Sequence, residues 1–305
     1  MIRRLVAVHG GAGMVREVSA RIHRVGVVGC GLMGSGIAEV SARSQLDVMV
    51  VEVNDDALAG GRKRIESSLT RAVRAGKLST EQQDAALSRI SFTTDYDDLA
   101  DRQVVIEAIT ESEPEKLATF DRLDRVVSEP DAILASNTSS IPIMKLAMAT
   151  RRPQSVIGIH FFNPVPVLKL VEVVTSLLTG PGTAANAETF VHEQLGKHVI
   201  RSKDRAGFIV NALLIPYLLS AIRMLESGFA TEDDIDAGMV EGCAHPMGPL
   251  ALADLIGLDT TMAVAQSLYE EFKEPLYAPP PLLSRMVEAG LLGRKTGRGF
   301  YSYQR

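Results

Sequence analysis

The sequence predicts an α/β fold in which a Rossmann-type, mostly parallel sheet domain is followed by an all-helical C-terminal domain. Between residues 24 and 174, short runs rich in valine and isoleucine alternate with segments of helical period. This alternation is typical of parallel strands joined by helices. Beyond residue 205 no strand pattern remains, and glycine or proline separates one helical segment from the next.

The first three elements predict a βαβ unit. A valine-rich run at residues 24–29 predicts a buried strand, residues 32–43 carry apolar side chains at helical spacing, and residues 47–53 predict a second strand. A strand, a helix and a strand in this order imply parallel pairing with a right-handed crossover.

The remaining segments continue the alternation and then turn helical. Further helices are predicted at residues 57–74, 80–89 and 113–127, and further strands at 104–109, 133–137, 156–161 and 170–174. The C-terminal helices are predicted at residues 208–226, 231–240, 249–256, 259–272 and 281–289. We therefore divide the chain into an N-terminal extension (1–21), a dinucleotide-binding domain (22–204) and a helical domain (205–305).

The amino-acid composition limits the kinds of ligand and partner that this chain is expected to bind. A formal net charge of −5 argues against nucleic acid. The two cysteines, Cys30 and Cys243, predict neither a disulfide framework nor a metal site, and no histidine pair has metal-binding spacing. The longest apolar stretch, residues 208–222, is interrupted by Asn211 and Pro216 and predicts a buried helix. We expect a protein of the reducing cytoplasm that binds no metal, nucleic acid or membrane.

The clearest motif is GxGxxG, formed by Gly29, Gly31 and Gly34 where the first strand ends and the first helix begins. Such a loop lets the backbone approach a pyrophosphate, and the amides of Leu32 and Met33 then open a helix whose positive end faces the phosphates. The alternative is a purely structural turn. A second glycine cluster, at residues 10–13, lacks both the helix and the acid that should follow.

Glu52 ends the second predicted strand, where a carboxylate can accept hydrogen bonds from the adenosine ribose hydroxyls. The same charge repels a 2′-phosphate, so the sequence predicts NAD in preference to NADP. NADP stays open as an alternative, because Arg62 or Lys63 could reach a phosphate. The alternative is a solvated glutamate at a strand end.

Two titratable residues lie in or next to apolar runs farther along the chain. His160 follows the run VIGI and so lies at the ligand-binding edge of the sheet, and Glu172 lies within LKLVEVV. Imidazole can take and return a proton near neutral pH, and a buried carboxylate needs a partner such as histidine. A structural histidine and an unrelated strand-end glutamate remain the alternative.

Two hydrogen-bonding side chains could position a ligand between the domains. Ser139 follows the strand ILASN, and Asn211 interrupts the apolar face of the first C-terminal helix. Asparagine is unfavourable inside a helix unless its side chain bonds something. Backbone capping explains both residues equally well.

The chain from residue 24 to its C-terminus resembles the L-3-hydroxyacyl-CoA dehydrogenases, most of all the bacterial 3-hydroxybutyryl-CoA dehydrogenases. The matching stretches occur in family order: GCGLMGSGIAEVSAR, VIEAITE, SNTSS, HFFNPVPVLKLVEV, LGKHV, GFIVNALLIPYL, HPMGPL and GRKTGRGFY. The resemblance implies an NAD-dependent enzyme that interconverts a short-chain (S)-3-hydroxyacyl-CoA and its 3-oxo form, with a helical domain that forms a homodimer.

The resemblance also implies roles for individual residues. His160 acts as general base with Glu172, and Ser139 and Asn211 position the substrate. The implied cofactor-binding residues are Gly29, Gly31, Leu32, Met33, Gly34, Glu52, Glu111, Lys116, Asn137, Ser139 and Asn163. The implied substrate-binding residues are Ser68, Arg71, Arg74, Ser139 and Asn211.

Three alternatives stay open at this stage. The charged face that carries Ser68, Arg71 and Arg74 can be solvated surface rather than a coenzyme A contact. The substrate can be a free sugar acid, as in the related lambda-crystallin type of dehydrogenase. A non-catalytic NAD-binding protein can keep the same fold, because fold alone does not decide function.

Overall fold

A single eight-stranded sheet forms the centre of the N-terminal part of the chain. The structure, a computed structural model, describes residues 21–303, so the predicted extension lies outside the described residues except for Arg21. The strands are β1 (Arg24–Val28), β2 (Asp47–Val51), β3 (Ile90–Thr93), β4 (Val104–Glu107), β5 (Ile133–Ser136), β6 (Val156–Phe161), β7 (Leu170–Thr175) and β8 (His198–Lys203). Their order is β3-β2-β1-β4-β5-β6-β7-β8. Every neighbouring pair is parallel except β6 with β7, which confirms the mostly parallel sheet.

Six helices accompany the sheet and five follow it in the described part of the chain. The first six are α1 (Leu32–Arg43), α2 (Asp55–Arg74), α3 (Thr80–Leu87), α4 (Glu113–Val126), α5 (Ile143–Met148) and α6 (Pro181–Thr189). The others are α7 (Val210–Glu226), α8 (Glu232–Cys243), α9 (Pro249–Ile256), α10 (Leu258–Phe272) and α11 (Pro281–Glu288). The all-helical character of the C-terminal region is thereby confirmed. Within residues 21–303, no helix is long and apolar enough to cross a membrane.

The sequences of the central strands are almost continuously apolar because helices cover both faces of the sheet. On one face, buried side chains of β1, β2 and β4 pack with those of α1 and α2. On the other face, the core contains side chains of α4 and α5. A third core joins α7, α9, α10 and α11. Each part of the chain therefore has its own hydrophobic core.

The sequence analysis did not identify β3, β8, α5 or α6. Both missed strands form edges of the sheet. In β8 the sequence HVIRSK mixes polar and apolar residues, and only Ser202 of this strand is buried. An edge strand packs on fewer neighbours, so its sequence lacks the apolar run that identifies a central strand. Helix α5 spans only six residues, too few for a helical period to be visible.

Hydrogen bonds fix the place where the sheet region meets the helical region. Within the sheet region, the carboxylate of Asp204, just after β8, accepts the amides of Ile143 and Met144 at 2.8 and 2.7 Å and so caps α5. Across the boundary, the hydroxyl of Ser267 in α10 donates to the carbonyl of Ser140. A second contact across the boundary, at Glu172, forms part of the candidate site. These contacts position the start of α7 at the carboxyl edge of the sheet.

Candidate active site

The glycine loop lies at the carboxyl ends of β1 and β4. Gly29 has φ +88°, and a Cβ there would lie 2.8 Å from the carbonyl oxygen of Ala108. A Cβ on Gly34 would lie 1.8 Å from the carbonyl oxygen of Gly29. A Cβ on Gly31, in contrast, would meet nothing within 4 Å. Internal packing therefore requires glycine at positions 29 and 34, whereas the space beside Gly31 is open to a ligand.

The N-terminus of α1 faces this open space. No side chain caps the helix, and its first turn contains no acidic residue. The first amides of a helix have no partner within it, so those of Leu32 and Met33 are donors suited to an anionic ligand. An open backbone cradle and a helix N-terminus fit the pyrophosphate of a dinucleotide.

Glu52 lies directly beside the glycine loop. Its carboxylate accepts the amide of Cys30 and, at 3.1 Å, that of Val53. The carbonyl of Cys30 in turn accepts two N–H groups of Arg64, at 3.1 and 3.0 Å. Burial and the charge of Glu52 raise the pKa of the Cys30 thiol to about 12, outweighing the opposite effect of Arg64. The thiol therefore stays protonated and packs as a small apolar group.

A second carboxylate, Glu111, binds the loop that follows β5. Glu111 accepts the amides of Ser139 and Ser140 at 3.0 Å each, as well as the hydroxyls of Thr138 and Ser140. The ammonium of Lys116 lies 3.2 Å from its other oxygen. Desolvation raises the pKa of Glu111, but Lys116 and these hydrogen bonds outweigh desolvation and lower that pKa below its ordinary value. Glu111 is therefore an ionised anchor for the loop that carries Ser139.

His160 and Glu172 form a buried pair. The two residues face each other across the antiparallel pairing of β6 with β7, and Nδ1 of His160 lies 2.8 Å from Oε2 of Glu172. Glu172 is 0% exposed, and its other oxygen accepts the amides of Ile209 and Val210 at 3.0 Å each. Because Nδ1 faces the carboxylate, Nε2 is the ring nitrogen left to exchange a proton with a ligand.

Aromatic rings enclose the imidazole. The ring of Phe162 lies 4.6 Å from that of His160 and the ring of Phe208 lies 5.5 Å away, both edge-on. They leave the His160–Glu172 pair in an apolar surrounding, where electrostatic interactions are strong. The pair can therefore accept a proton at the carboxyl edge of the sheet. Strands β4 and β5 lie between its strand β6 and β1, which ends at the glycine loop.

A groove runs beside the loop between α1 and α2. It has a volume of about 440 Å³, and residues 163–166 form its other wall. Among the sequence-predicted residues, Leu32, Ser68, Arg71 and Asn163 line it, whereas Arg74 does not. Lys63 and Arg64 also line the groove, which gives it an excess of positive charge. Within the described residues, no group of acidic, histidine or cysteine side chains is placed to hold a metal ion.

Comparison with known protein families identifies the family to which this chain belongs. Residues 24–205 match the family model for the NAD-binding domain of 3-hydroxyacyl-CoA dehydrogenases, and residues 207–303 match the model for the C-terminal domain. The chain belongs to the 3-hydroxyacyl-CoA dehydrogenase family. The expectation from the sequence motifs is thereby confirmed.

Individual members of this family are similar along nearly the whole chain. A 3-hydroxybutyryl-CoA dehydrogenase of Mycobacterium tuberculosis is 61% identical over 286 residues, 94% of this chain and 100% of the relative. The crystal structure of (S)-3-hydroxybutyryl-CoA dehydrogenase from Ralstonia eutropha superposes with a TM-score of 0.88 at 47% identity, covering 93% and 100% of the two chains. A diketoreductase structure shares the fold at 28% identity with a TM-score of 0.80, covering 92% and 99%.

Three other sequence-predicted residues lie around the buried pair without contacting it directly. Asn137 accepts the amide of Phe161 at 2.8 Å and so ties the end of β5 to the end of β6. Asn163 begins a cis peptide bond to Pro164. Asn211 lies in the first turn of α7, next to Val210, and none of the described hydrogen bonds joins its side chain to His160 or Ser139.

The sequence analysis missed two features of the site. The amides of Ile209 and Val210 are invisible in a sequence because every residue has one. Glu107, fully buried in β4, bonds Lys116 and was not singled out. An acidic residue in the apolar run VVIE was the available signal, since a buried carboxylate requires a partner.

The two glycines Gly31 and Gly34 provide a matched test of the loop. We expect Gly34→Ala to destabilise the cofactor-free protein by about 1–3 kcal/mol, because its Cβ would overlap the Gly29 carbonyl. Gly31→Ala should change stability by less than about 1 kcal/mol yet weaken NAD binding, since its methyl enters the open space. Denaturant unfolding and cofactor titration measure both effects. Wild-type NAD affinity in Gly31→Ala would contradict a close approach of the cofactor.

Proposed function

We propose that the protein interconverts (S)-3-hydroxybutyryl-CoA and acetoacetyl-CoA by hydride transfer with NAD. The observation that carries the proposal is the buried His160–Glu172 pair in the same sheet whose strand β1 ends at the glycine loop. The 61% identity to a 3-hydroxybutyryl-CoA dehydrogenase over nearly the whole chain supports the substrate.

The chemistry at His160 follows from its hydrogen bond to Glu172. Nε2 of His160 removes the proton of the 3-hydroxyl group. A nicotinamide cofactor, when bound, would supply the acceptor for the hydride from C3. The carboxylate of Glu172 holds the Nδ1–H and stabilises the positive charge that the imidazole gains. Ser139, from the loop after β5, and Asn211, from α7, donate to the substrate oxygen. Positioning and base strength both matter, because the proton leaves the hydroxyl oxygen while the hydride leaves C3, the carbon that bears it.

The groove between α1 and α2 suits the coenzyme A part of the substrate. Ser68 and Arg71 line it together with Lys63 and Arg64, so hydroxyl and cationic donors meet in one cavity. Arg74 lies a turn farther along α2 and is exposed outside this lining. We assign Ser68 and Arg71 to substrate binding. Arg74 would contact only those phosphates of coenzyme A that extend beyond the groove.

The surroundings of Glu52 favour NAD over NADP. Its carboxylate lies at the glycine loop, where a 2′-phosphate would meet its negative charge. The two nearby cations considered for a phosphate have other environments: Arg62 stacks on the ring of Phe92 at 4.4 Å, and Lys63 lines the groove. Neither cation lies free beside Glu52 to neutralise a phosphate.

Substrate class is the sharpest test of the proposal. We expect kcat/KM for acetoacetyl-CoA with NADH to exceed that for acetoacetate, or for a sugar acid in the oxidative direction, by about 100-fold or more, because only the thioester fills the groove. NADPH should be the poorer cofactor. Steady-state kinetics on this panel measures both preferences. Equal turnover of the free acids would support the sugar-acid alternative.

The proton-transfer roles predict separate effects on turnover and on cofactor binding. His160→Ala should lower kcat by ~10²–10⁴-fold, the usual contribution of a general base. Glu172→Gln should also slow turnover, because the charge that stabilises the imidazolium is lost. Both variants should bind NAD nearly normally, since the glycine loop lies elsewhere. Steady-state kinetics with cofactor titration tests this. Loss of NAD binding in both would show a structural role instead.

We further propose that two copies of the chain associate through the helical region. Leu213 and Phe229 are 74% and 79% exposed there, and Val240 and Leu255 are exposed as well. So many apolar side chains on one small region favour contact with a second copy. Light scattering at dilute protein concentration should give twice the monomer mass. A fully active monomer would rule the dimer out.

A further inference from the structure

A third ionised side chain lies behind the Glu111–Lys116 pair. Glu107, the last residue of β4, is 0% exposed, and Lys116 is 1% exposed. One oxygen of Glu107 accepts hydrogen bonds from the ammonium of Lys116 and, at 2.8 Å, from the amide of Ile109. The other accepts the hydroxyl of Ser136 at 2.6 Å. The hydrogen-bonding capacity of Glu107 is therefore used entirely inside the protein, so Glu107 does not contact a substrate.

The three charges form one network. Lys116 bonds Glu107 on one side and lies 3.2 Å from Glu111 on the other, so two carboxylates share a single ammonium. One net negative charge remains. Glu107 and Lys116 are buried, whereas the side chain of Glu111 is 31% exposed. Burying an ion pair is unfavourable compared with apolar packing, so stability alone does not explain the network.

The network lies at the edge of the sheet that carries the glycine loop. Glu107 pairs with Val28 at the end of β1, and the amide of Ala108 donates to the Val28 carbonyl at 2.8 Å. The next residue along β1 is Gly29, whose Cβ position would contact Ala108. The charge of Glu107 is therefore close to the cofactor loop and buried from solvent, which weakens its screening.

We propose that Glu107 is a positioning residue that holds Lys116 beside Glu111, and that the net negative charge of the network favours the oxidised nicotinamide over the reduced one. This role rests on the proposed function, which requires a bound nicotinamide cofactor, and on the cofactor-binding roles that the family resemblance implies for Glu111 and Lys116. The oxidised ring carries one positive charge and the reduced ring none. A fixed negative charge nearby therefore stabilises bound NAD+ selectively.

Removing the charge of Glu107 tests the proposal directly. In Glu107→Gln the network becomes neutral, and we expect the ratio Kd(NAD+)/Kd(NADH) to rise about ten-fold, as for the loss of one unit charge at an effective dielectric constant of about 20. Titration of the folded protein with each cofactor measures the ratio without turnover. The matched control is Glu113→Gln, which removes the exposed ion pair with Lys145 at the start of the same helix and should leave the ratio unchanged.

Lys116 provides a change of opposite sign. Lys116→Gln leaves two carboxylates and a charge of −2, so the ratio should fall, although both affinities weaken because the ammonium is lost. In the double variant Glu107→Gln/Lys116→Gln, the charge returns to −1 and the ratio should return toward the wild-type value. If Glu107→Gln does not fold, the double variant compared with Lys116→Gln isolates the charge of Glu107, because neither leaves an unpaired buried ammonium.

The outcomes separate this role from the proposed function. Equal weakening of NAD+ and NADH in Glu107→Gln, or no change in either, would overturn the selective role and leave Glu107 as a packing residue. Equal ratios in Lys116→Gln and the double variant would overturn it as well. Failure of the wild-type protein to bind either cofactor, or to reduce acetoacetyl-CoA, would instead contradict the proposed function.

Discussion

The candidate site depends on the hydrogen bonds that the carboxylate of Glu172 accepts. One oxygen orients the imidazole of His160, and the other accepts two amides at the start of α7. A fully buried carboxylate is unfavourable unless its oxygens are bonded, so all three donors are needed together. The ring that handles the proton and the helix that carries Asn211 are therefore held by one group. A shift of the helical region relative to the sheet would also change the setting of His160.

Carboxylates fasten loops and helix ends to one another throughout this chain. Glu52 binds the amide of Cys30, and Glu111 binds the amides of Ser139 and Ser140. In the helical region, Asp254 accepts the amides of Phe300 and Tyr301 at 3.0 Å each and so attaches the C-terminal segment to α9. Backbone donors at loops have no partner in the sheet or in a helix, and an ionised acceptor bonds them about twice as strongly as a neutral one.

The cofactor loop and the groove are mechanically connected through Arg64. Two of its N–H groups hold the Cys30 carbonyl, while the same side chain lines the groove between α1 and α2. Glu52 holds the preceding amide from the other side. The glycine loop is thus fixed before a ligand arrives, which reduces the entropy lost when a ligand binds.

The sequence by itself determined the fold class, the glycine loop and the candidate residues His160 and Glu172. Periodic apolar runs and turn residues are local signals, and the central strands carry them because both faces of the sheet are covered. The edge strands β3 and β8 lack that signal, so only the structure revealed them. The antiparallel pairing of β7 with β6 places Glu172 opposite His160, with Nδ1 and Oε2 2.8 Å apart. The packing of α4 on the sheet brings Lys116 to Glu107 at the end of β4. Register and crossing order arise from contacts between residues far apart in the chain, which no local pattern encodes.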